Sequence, residues 1–303
     1  MAIAHALPPL HKHTEHFPRP DGVSLALERW GDREAPLVIF AHGFGQTRAA
    51  WTASAAHLAA AGYQAIAVDG RGHGDSGRNP PQLPYAMPQF IDDLAALAGS
   101  FTLPPKEKPI LVGASMGGLL GLAVQGQQRA FSALVLVDIT PRWETAGVER
   151  ILDFMGAHPE GFESLEHAAD AIARYLPHRP RKSPRSLAGL LRPGVHGRWH
   201  WHWDPRLLDD VGRQGERYQA DLAEAARRVD VPTLLISGGL SDLVSDRSVD
   251  DFLQLVPHAE HVRIPDATHM VVGDRNDRFT DTILKFLSSV ARPATAAATG
   301  AAP

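Results

Sequence analysis

The sequence predicts an α/β protein built on a mostly parallel sheet flanked by helices, with a helical insertion late in the chain. Three observations predict it. Short β-rich runs alternate with helical patterns along the 303 residues, which is the βαβ rhythm of right-handed crossovers. From residue 36 onward most of those runs are near-continuously apolar, as strands covered on both faces are. Between Thr140 and Val231 about ninety residues pass with no convincing strand, too many for a structureless loop.

The elements follow in order. "VSLALERW" (23–30) alternates apolar and polar residues and is expected to be an edge strand. Strands are also expected at 36–43, 63–70, 109–115, 133–140, 232–239 and 260–267, and helices at roughly 48–61, 88–100, 116–128, 247–256 and 275–290. Inside the long interval Val148, Ile151, Leu152 and Met155 recur at helical spacing. Leu165, Ala168, Ala169, Ile172 and Leu176 form a second stripe behind an N-cap at Ser164. The expected organisation is a core over 1–140 and 229–291, a helical lid over 141–228 covering the carboxyl edge of the sheet, and a disordered low-complexity tail over 292–303.

Composition narrows the chemistry. An apolar fraction of 44% with 21% charged residues and no long apolar run describes a soluble protein without a membrane span. The N-terminal stretch lacks the charged-then-apolar layout of a secretory signal, so a cytoplasmic location is expected. The absence of cysteine excludes disulfides, Fe–S clusters, thiolate zinc sites and a thiol nucleophile. A net charge of −4 argues against nucleic acid as a partner, and the basic run "HRPRKSPR" (178–185) reads as a solvated loop. Nothing in the sequence speaks to the oligomeric state.

"ILVGASMGGLLG" (110–121) sets Ser115 among glycines where a buried strand meets a helical pattern. A phosphate loop would need Gly-Lys-Ser/Thr, which is absent. Glycines at 113 and 117 let strand and helix pass closely and leave Ser115 Oγ clear at the sheet edge, so a nucleophile mount is favoured over a plain turn. A serine needs a base oriented by a carboxylate. His269 follows the strand at 260–267, and its position singles it out among sixteen histidines. Two aspartates compete for the acid: Asp242 in "SDLV", which is preferred, and Asp138 in "LVDIT". "FAHGFGQT" (40–47) offers the Phe44 N–H which, with the Met116 N–H, would bind an oxyanion, while His42 braces the loop.

These pieces, "HGFG" (42–45), "DGRGHGDS" (69–76), "GASMGG" (113–118), "SDLV" (241–244) and "THM" (268–270), resemble those of the α/β-hydrolase fold, serine hydrolase branch, across residues 20 to 290. The resemblance implies a Ser115, Asp242, His269 triad, an oxyanion hole from Phe44 and Met116, and a lid in the helical interval. It also makes Asp69, Arg71, His73 and Asp75 a loop brace rather than catalytic groups. Thr268 departs from the glycine often found before the final histidine. Serine at 115 speaks against the epoxide-opening and dehalogenating branches, which use aspartate there.

Within the interval, "GRWHWHWDPR" (197–206) would set Trp199, Trp201 and Trp203 on one face of an extended segment with His200 and His202 opposite. Packing of the lid and lining of an apolar substrate pocket both remain open for them, and Trp143 is a further pocket candidate. A metal site from His196, His200 and His202 is disfavoured for want of a carboxylate motif, so no metal and no cofactor are expected. The expected activity is hydrolysis of esters, lactones or thioesters of small to medium apolar acids through an acyl-enzyme. The alternatives are C–C bond hydrolysis of a ring-fission diketone and a non-catalytic ligand receptor on the same scaffold.

Overall fold

A computed structural model describes residues 13–101, 107–177, 179–187 and 189–291. The expected tail at 292–303 and the N-terminal stretch before residue 13 lie outside the described residues.

The chain opens on an antiparallel pair, β1 (His13–Pro18) and β2 (Ser24–Trp30). There follow β3 (Leu37–Ala41), α1 (Thr52–Ala60), β4 (Gln64–Val68), α2 (Met87–Ser100), β5 (Ile110–Ala114), α3 (Met116–Gln128) and β6 (Ala133–Val137). The interval then supplies α4 (Thr145–Gly156), α5 (Leu165–Tyr175), β7 (Leu191–Pro193), β8 (Trp199–Trp201), α6 (Arg206–Asp210) and α7 (Gln219–Arg227). The chain returns to the sheet with β9 (Thr233–Gly238), α8 (Asp246–Leu255), β10 (Glu260–Ile264), α9 (Val271–Asp274) and α10 (Asn276–Val290).

Among the described residues the main sheet has eight strands in the order β1-β2-β4-β3-β5-β6-β9-β10. Every pair from β4 to β10 is parallel, whereas β2 runs antiparallel to both neighbours. β3, β4 and β6 are buried along their whole length, which explains their uninterrupted apolar runs. The expected edge position of 23–30 is corrected: β1 is the edge and β2 lies inside it. "HTEHFP" has only one large apolar side chain, so it carried no strand signal; its pairing comes from backbone hydrogen bonds to β2.

One face of the sheet packs on Phe90, Leu94 and Leu97 of α2, Leu119 and Leu122 of α3, and Phe252 of α8. The other packs on Leu58 of α1 and Phe279, Ile283 and Phe286 of α10. The interval has a small core of its own, with Phe162, Ala168, Ala169, Leu187 and Leu191 buried together. Ser164 caps α5 as expected, its hydroxyl accepting the His167 N–H at 3.0 Å. The interval is not wholly helical, because β7 and β8 form an antiparallel hairpin that places Leu191 opposite Trp201. The alternation at 199–203 marks β8 as extended, but its partner β7, the three residues "LRP", is too short to leave a period in the sequence.

The parallel topology sends the loops after β3, β5, β6, β9 and β10 to the same edge of the sheet, which is where such folds build their sites. The sharpest of these turns depends on close backbone approach. A Cβ added at Gly113 would stand 2.5 Å from the Gly117 carbonyl carbon, and one added at Gly117 would collide with the Ala41 carbonyl oxygen on β3. Backbone cannot yield as a flexible side chain does. Gly117→Ala should therefore cost about 3 kcal/mol, measured by urea unfolding; a loss under about 0.5 kcal/mol would show that strand and helix are not held this closely.

Candidate active site

Ser115 connects β5 directly to α3 with φ 48° and ψ −119°, a conformation that side chains rarely adopt and that the surrounding packing must enforce. Its N–H donates to the Val137 carbonyl at 3.0 Å, and its carbonyl accepts from Gly118 and Leu119 to start the helix. Ser115 Oγ has no hydrogen-bond partner among the described residues. The loop after β3 lies beside it, since a Cβ on Gly43 would be 3.2 Å from Ser115 Cβ. The N–H groups of Phe44, on that loop, and Met116, at the helix start, have no partner among the described residues either. Two unpartnered backbone donors thus lie on the segments beside the serine.

His269 follows β10, and its Nδ1 is 2.8 Å from Asp138 Oδ2. The carboxylate can only accept, so Nδ1 carries the proton and Nε2 is left as the basic nitrogen. Asp138 has no solvent exposure. It also accepts the Gly238 N–H at 2.7 Å and the Ser241 hydroxyl at 2.5 Å, so the buried charge is fully hydrogen-bonded.

The expected pairing of Asp242 with His269 is corrected. Asp242 is partly exposed and forms an ion pair with Arg150 of α4. The reason lies in the strand order. β6 stands next to β5, so the residue after it lies one strand from Ser115, and a φ of 50° at Asp138 turns the chain where β6 ends. The "SDLV" loop reaches the site through Ser241, whose hydroxyl binds Asp138 and accepts the N–H groups of Leu243 and Val244.

Thr268 explains its own departure from glycine. Its N–H and hydroxyl both donate to Asp274 Oδ2, at 2.9 and 2.6 Å, and its Oγ1 accepts the Met270 N–H. Arg179, from the interval, binds Asp274 and donates to the Met270 carbonyl at 3.2 Å. Asp274, Arg179 and Ser241 carried no sequence signal as site residues: Arg179 and Ser241 bond to partners about a hundred residues away, and Asp274, only six residues from Thr268, follows no motif.

The "DGRGHGDS" segment is a brace. Asp69 is fully buried, accepts from the Arg48 and Asp75 N–H groups, and pairs with the Arg48 guanidinium. Asp75 pairs with Arg48 and Arg192, and Arg71 is bound by Asp93, Asp21 and Asn79. His73 belongs to a row of three buried histidines with His42 and His202. Ring centroids lie 5.0 Å apart from His42 to His73 and 6.2 Å from His73 to His202. In each ring one nitrogen meets a backbone carbonyl and the other a backbone N–H, which fixes a neutral tautomer. Burial lowers all three pKa values, His73 well below the ordinary range and His202 to about 4.

Of the tryptophans, Trp203 is buried beside the loop after β3. Its Nε1 would be 3.6 Å from a Cβ on Gly45, and Met155 of α4 meets the same point. Trp201 is half-buried against Phe154, Phe162 and Trp203. Trp199 exchanges backbone hydrogen bonds with Phe162 and packs on the interval's own core, and Trp143 is buried in the main core. The expected separation of the histidines from the tryptophans ends at the strand's end, since His202 and Trp203 both reach Gly45. Among the described residues no group of three His, Cys, Asp or Glu side chains could hold a metal ion, and no helix is long and apolar enough to cross a membrane.

The alpha/beta hydrolase family model matches residues 38–282, and the chain belongs to that family. It is similar to a 3-hydroxybutyrate-oligomer hydrolase of Cupriavidus necator, 28% identical over 258 residues that cover 81% of this chain and 86% of the relative. It is also similar to an esterase of Mycobacterium tuberculosis, 30% identical over 267 residues that cover 83% and 82%. The crystal structure of E-2-(acetamidomethylene)succinate hydrolase superposes with a TM-score of 0.79 at 25% identity, covering 92% of this chain and 100% of that one.

The row of neutral histidines makes stability pH-dependent. Because their folded pKa values lie below the ordinary 6.5, the unfolded chain binds more protons once pH falls below about 6.5, and stability falls with pH from there, down to about pH 4 for His202. The His202 ring alone should cost on the order of 1 kcal/mol per pH unit across that range. Denaturant unfolding at pH 7 and pH 5 measures this, and equal stability at the two would contradict neutral rings in the row.

Proposed function

We propose that the protein is a serine hydrolase that cleaves esters of small to medium, mostly apolar carboxylic acids through an acyl-enzyme. The observation that carries this reading is the placement of Ser115 on a strained strand-to-helix turn, at the same sheet edge as the Asp138–His269 pair. In the proposed reaction His269 Nε2 takes the hydroxyl proton as Ser115 Oγ attacks the acyl carbon. The developing oxyanion is held by the Phe44 and Met116 N–H groups. Asp138 keeps Nδ1 protonated and stabilises the imidazolium without accepting its proton. The imidazolium then protonates the departing alkoxide. Water attacks the acyl-enzyme by the same route and releases the acid.

Substrate seating closes the remaining gap, the absent hydrogen bond between Ser115 and His269, as catalytic contacts commonly tighten only with substrate bound. The surroundings suit an apolar acyl group. Met155 and Trp203 stand over Gly45, and Leu152 approaches the Phe44 ring at Gly212. We read residues 141–228 as a cap that supplies this wall, with Trp203 its best-placed tryptophan and Trp201 behind it. Trp199 and Trp143 serve packing in this reading. Relatives named esterase and 3-hydroxybutyrate-oligomer hydrolase support ester chemistry.

Ser115→Ala should fold normally and lose at least about a thousandfold in kcat against a short-chain chromogenic ester. Near-wild-type turnover, or labelling of a different residue by a fluorophosphonate, would refute the acyl-enzyme. The two aspartates provide a separate check. Asp138→Asn should lower kcat by up to about ten-thousandfold, whereas Asp242→Asn, which breaks only a partly exposed ion pair, should stay within about threefold of wild type. The reverse order would return the acid role to the loop after β9.

A further inference from the structure

The loop that presents the Phe44 N–H is gripped at three consecutive peptides. The first is the Gly43–Phe44 peptide, whose carbonyl accepts from His42 Nδ1 at 2.8 Å and from the Gln46 N–H at 3.0 Å. The second is the Phe44–Gly45 peptide, whose N–H donates to His73 Nε2 at 3.1 Å. The third is the Gly45–Gln46 peptide, whose carbonyl accepts from His202 Nε2 at 3.1 Å. His42 and His73 belong to the core; His202 comes from the segment after β8, about 160 residues further along the chain.

The third grip bears on the first through a single rigid plane. A peptide is planar, so holding the Gly45 carbonyl also aims the Gln46 N–H at the other end of the same plane. That N–H closes the turn on the Gly43 carbonyl, which belongs to the very peptide that carries the Phe44 N–H. Gly45 sits at φ +72°, where the chain has no side chain to hold it in place. His202 is itself well anchored. It is 2% exposed, and its Nδ1 accepts the Gly74 N–H at 2.9 Å, while the neighbouring Asp204 N–H donates to the Gly72 carbonyl at 2.8 Å.

We propose that His202 is a positioning residue for the oxyanion loop, so that docking of the cap against residues 72–74 completes the donor geometry that the core alone leaves loose. The proposal rests on the reading of Phe44 as an oxyanion donor. It makes the cap part of the catalytic frame as well as a wall of the pocket. His202 touches no reacting atom in this role; it acts through the Gly45–Gln46 peptide.

The two ring nitrogens can be tested separately, because asparagine places a side-chain oxygen near the position of Nδ1 and glutamine places an amide nitrogen near that of Nε2. His202→Asn keeps an acceptor for the Gly74 N–H and loses the reach to Gly45. It should lower kcat by about 10- to 100-fold, with the KM of a short ester within about threefold and the melting temperature close to wild type. Affinity for a trifluoromethyl ketone, whose serine-bound hemiketal places an oxyanion in the same spot, should fall by the same factor as kcat/KM. Affinity for a primary alcohol of matching length, which has no carbonyl oxygen, should not change. His202→Gln keeps a donor toward Gly45 and should retain most of kcat despite a lower melting temperature.

Activity that follows melting temperature in both variants, or an equal loss of ketone and alcohol affinity, would reduce His202 to a structural brace and overturn the proposal. If wild-type protein turned over no ester, the proposed function would fail by itself. Hydrogen exchange of residues 43–47 would then decide the inference: faster exchange in His202→Asn than in His202→Gln supports it, and equal exchange overturns it.

Discussion

A carboxylate held entirely out of water at the end of β6 is the constraint around which the site is arranged. An ionised Asp138 in that position is tolerable only if its oxygens are hydrogen-bonded, and three donors from two distant parts of the chain bind them: the Gly238 N–H at the end of β9 and the Ser241 hydroxyl just after it, and the His269 imidazole after β10. Those contacts lock three strand ends together. They also set the histidine tautomer, which leaves the free nitrogen basic. Geometry and protonation state therefore come from one set of hydrogen bonds.

The Ser115 turn depends on a different constraint, steric rather than electrostatic. Ser115 keeps its unfavourable φ because β5, α3 and β3 approach so closely that only glycine fits at 113 and 117. The strain falls on the residue whose hydroxyl must stand clear of the helix. Hydrogen bonds from its N–H to the Val137 carbonyl, and from Gly118 and Leu119 to its own carbonyl, hold the turn in place. β6 thus touches the serine by its last carbonyl and the histidine by the aspartate that follows.

The interval between β6 and β9 reaches both loops of the site. Arg179 binds Asp274 and through it the turn at Thr268 beside His269, while His202 binds Gly45 on the loop beside Ser115. Arg150 pairs with Asp242, and Arg192 with Asp75, so the same segment is tied to the core at charged points as well. Its own hydrophobic cluster is small, so its placement relies on these polar contacts and on the shared packing of Met155, Trp203 and Leu207.

Periodicity and glycine spacing made the sheet, most of its helices, the Ser115 turn and the loop position of His269 legible, because these depend on residues close together in the chain. The interval was recognisable by the lack of strand pattern, although its hairpin was not, and β1 was invisible because an edge strand needs no apolar run. The identity of the carboxylate facing His269 was different in kind. Asp138 and Asp242 both follow strands and both suit the chemistry, and local sequence holds no information about which strand stands beside β5. Tertiary structure decided it: the strand order puts β6 next to β5, which carries the Ser115 turn, burial removes Asp138 from water, and Arg150 takes up Asp242. The sequence by itself determined which chemical groups the site has available, since spacing within a strand or turn is a local property. Which of them meet was left to packing between strands a hundred residues apart, where hydrogen bonding and exclusion of water select the partner.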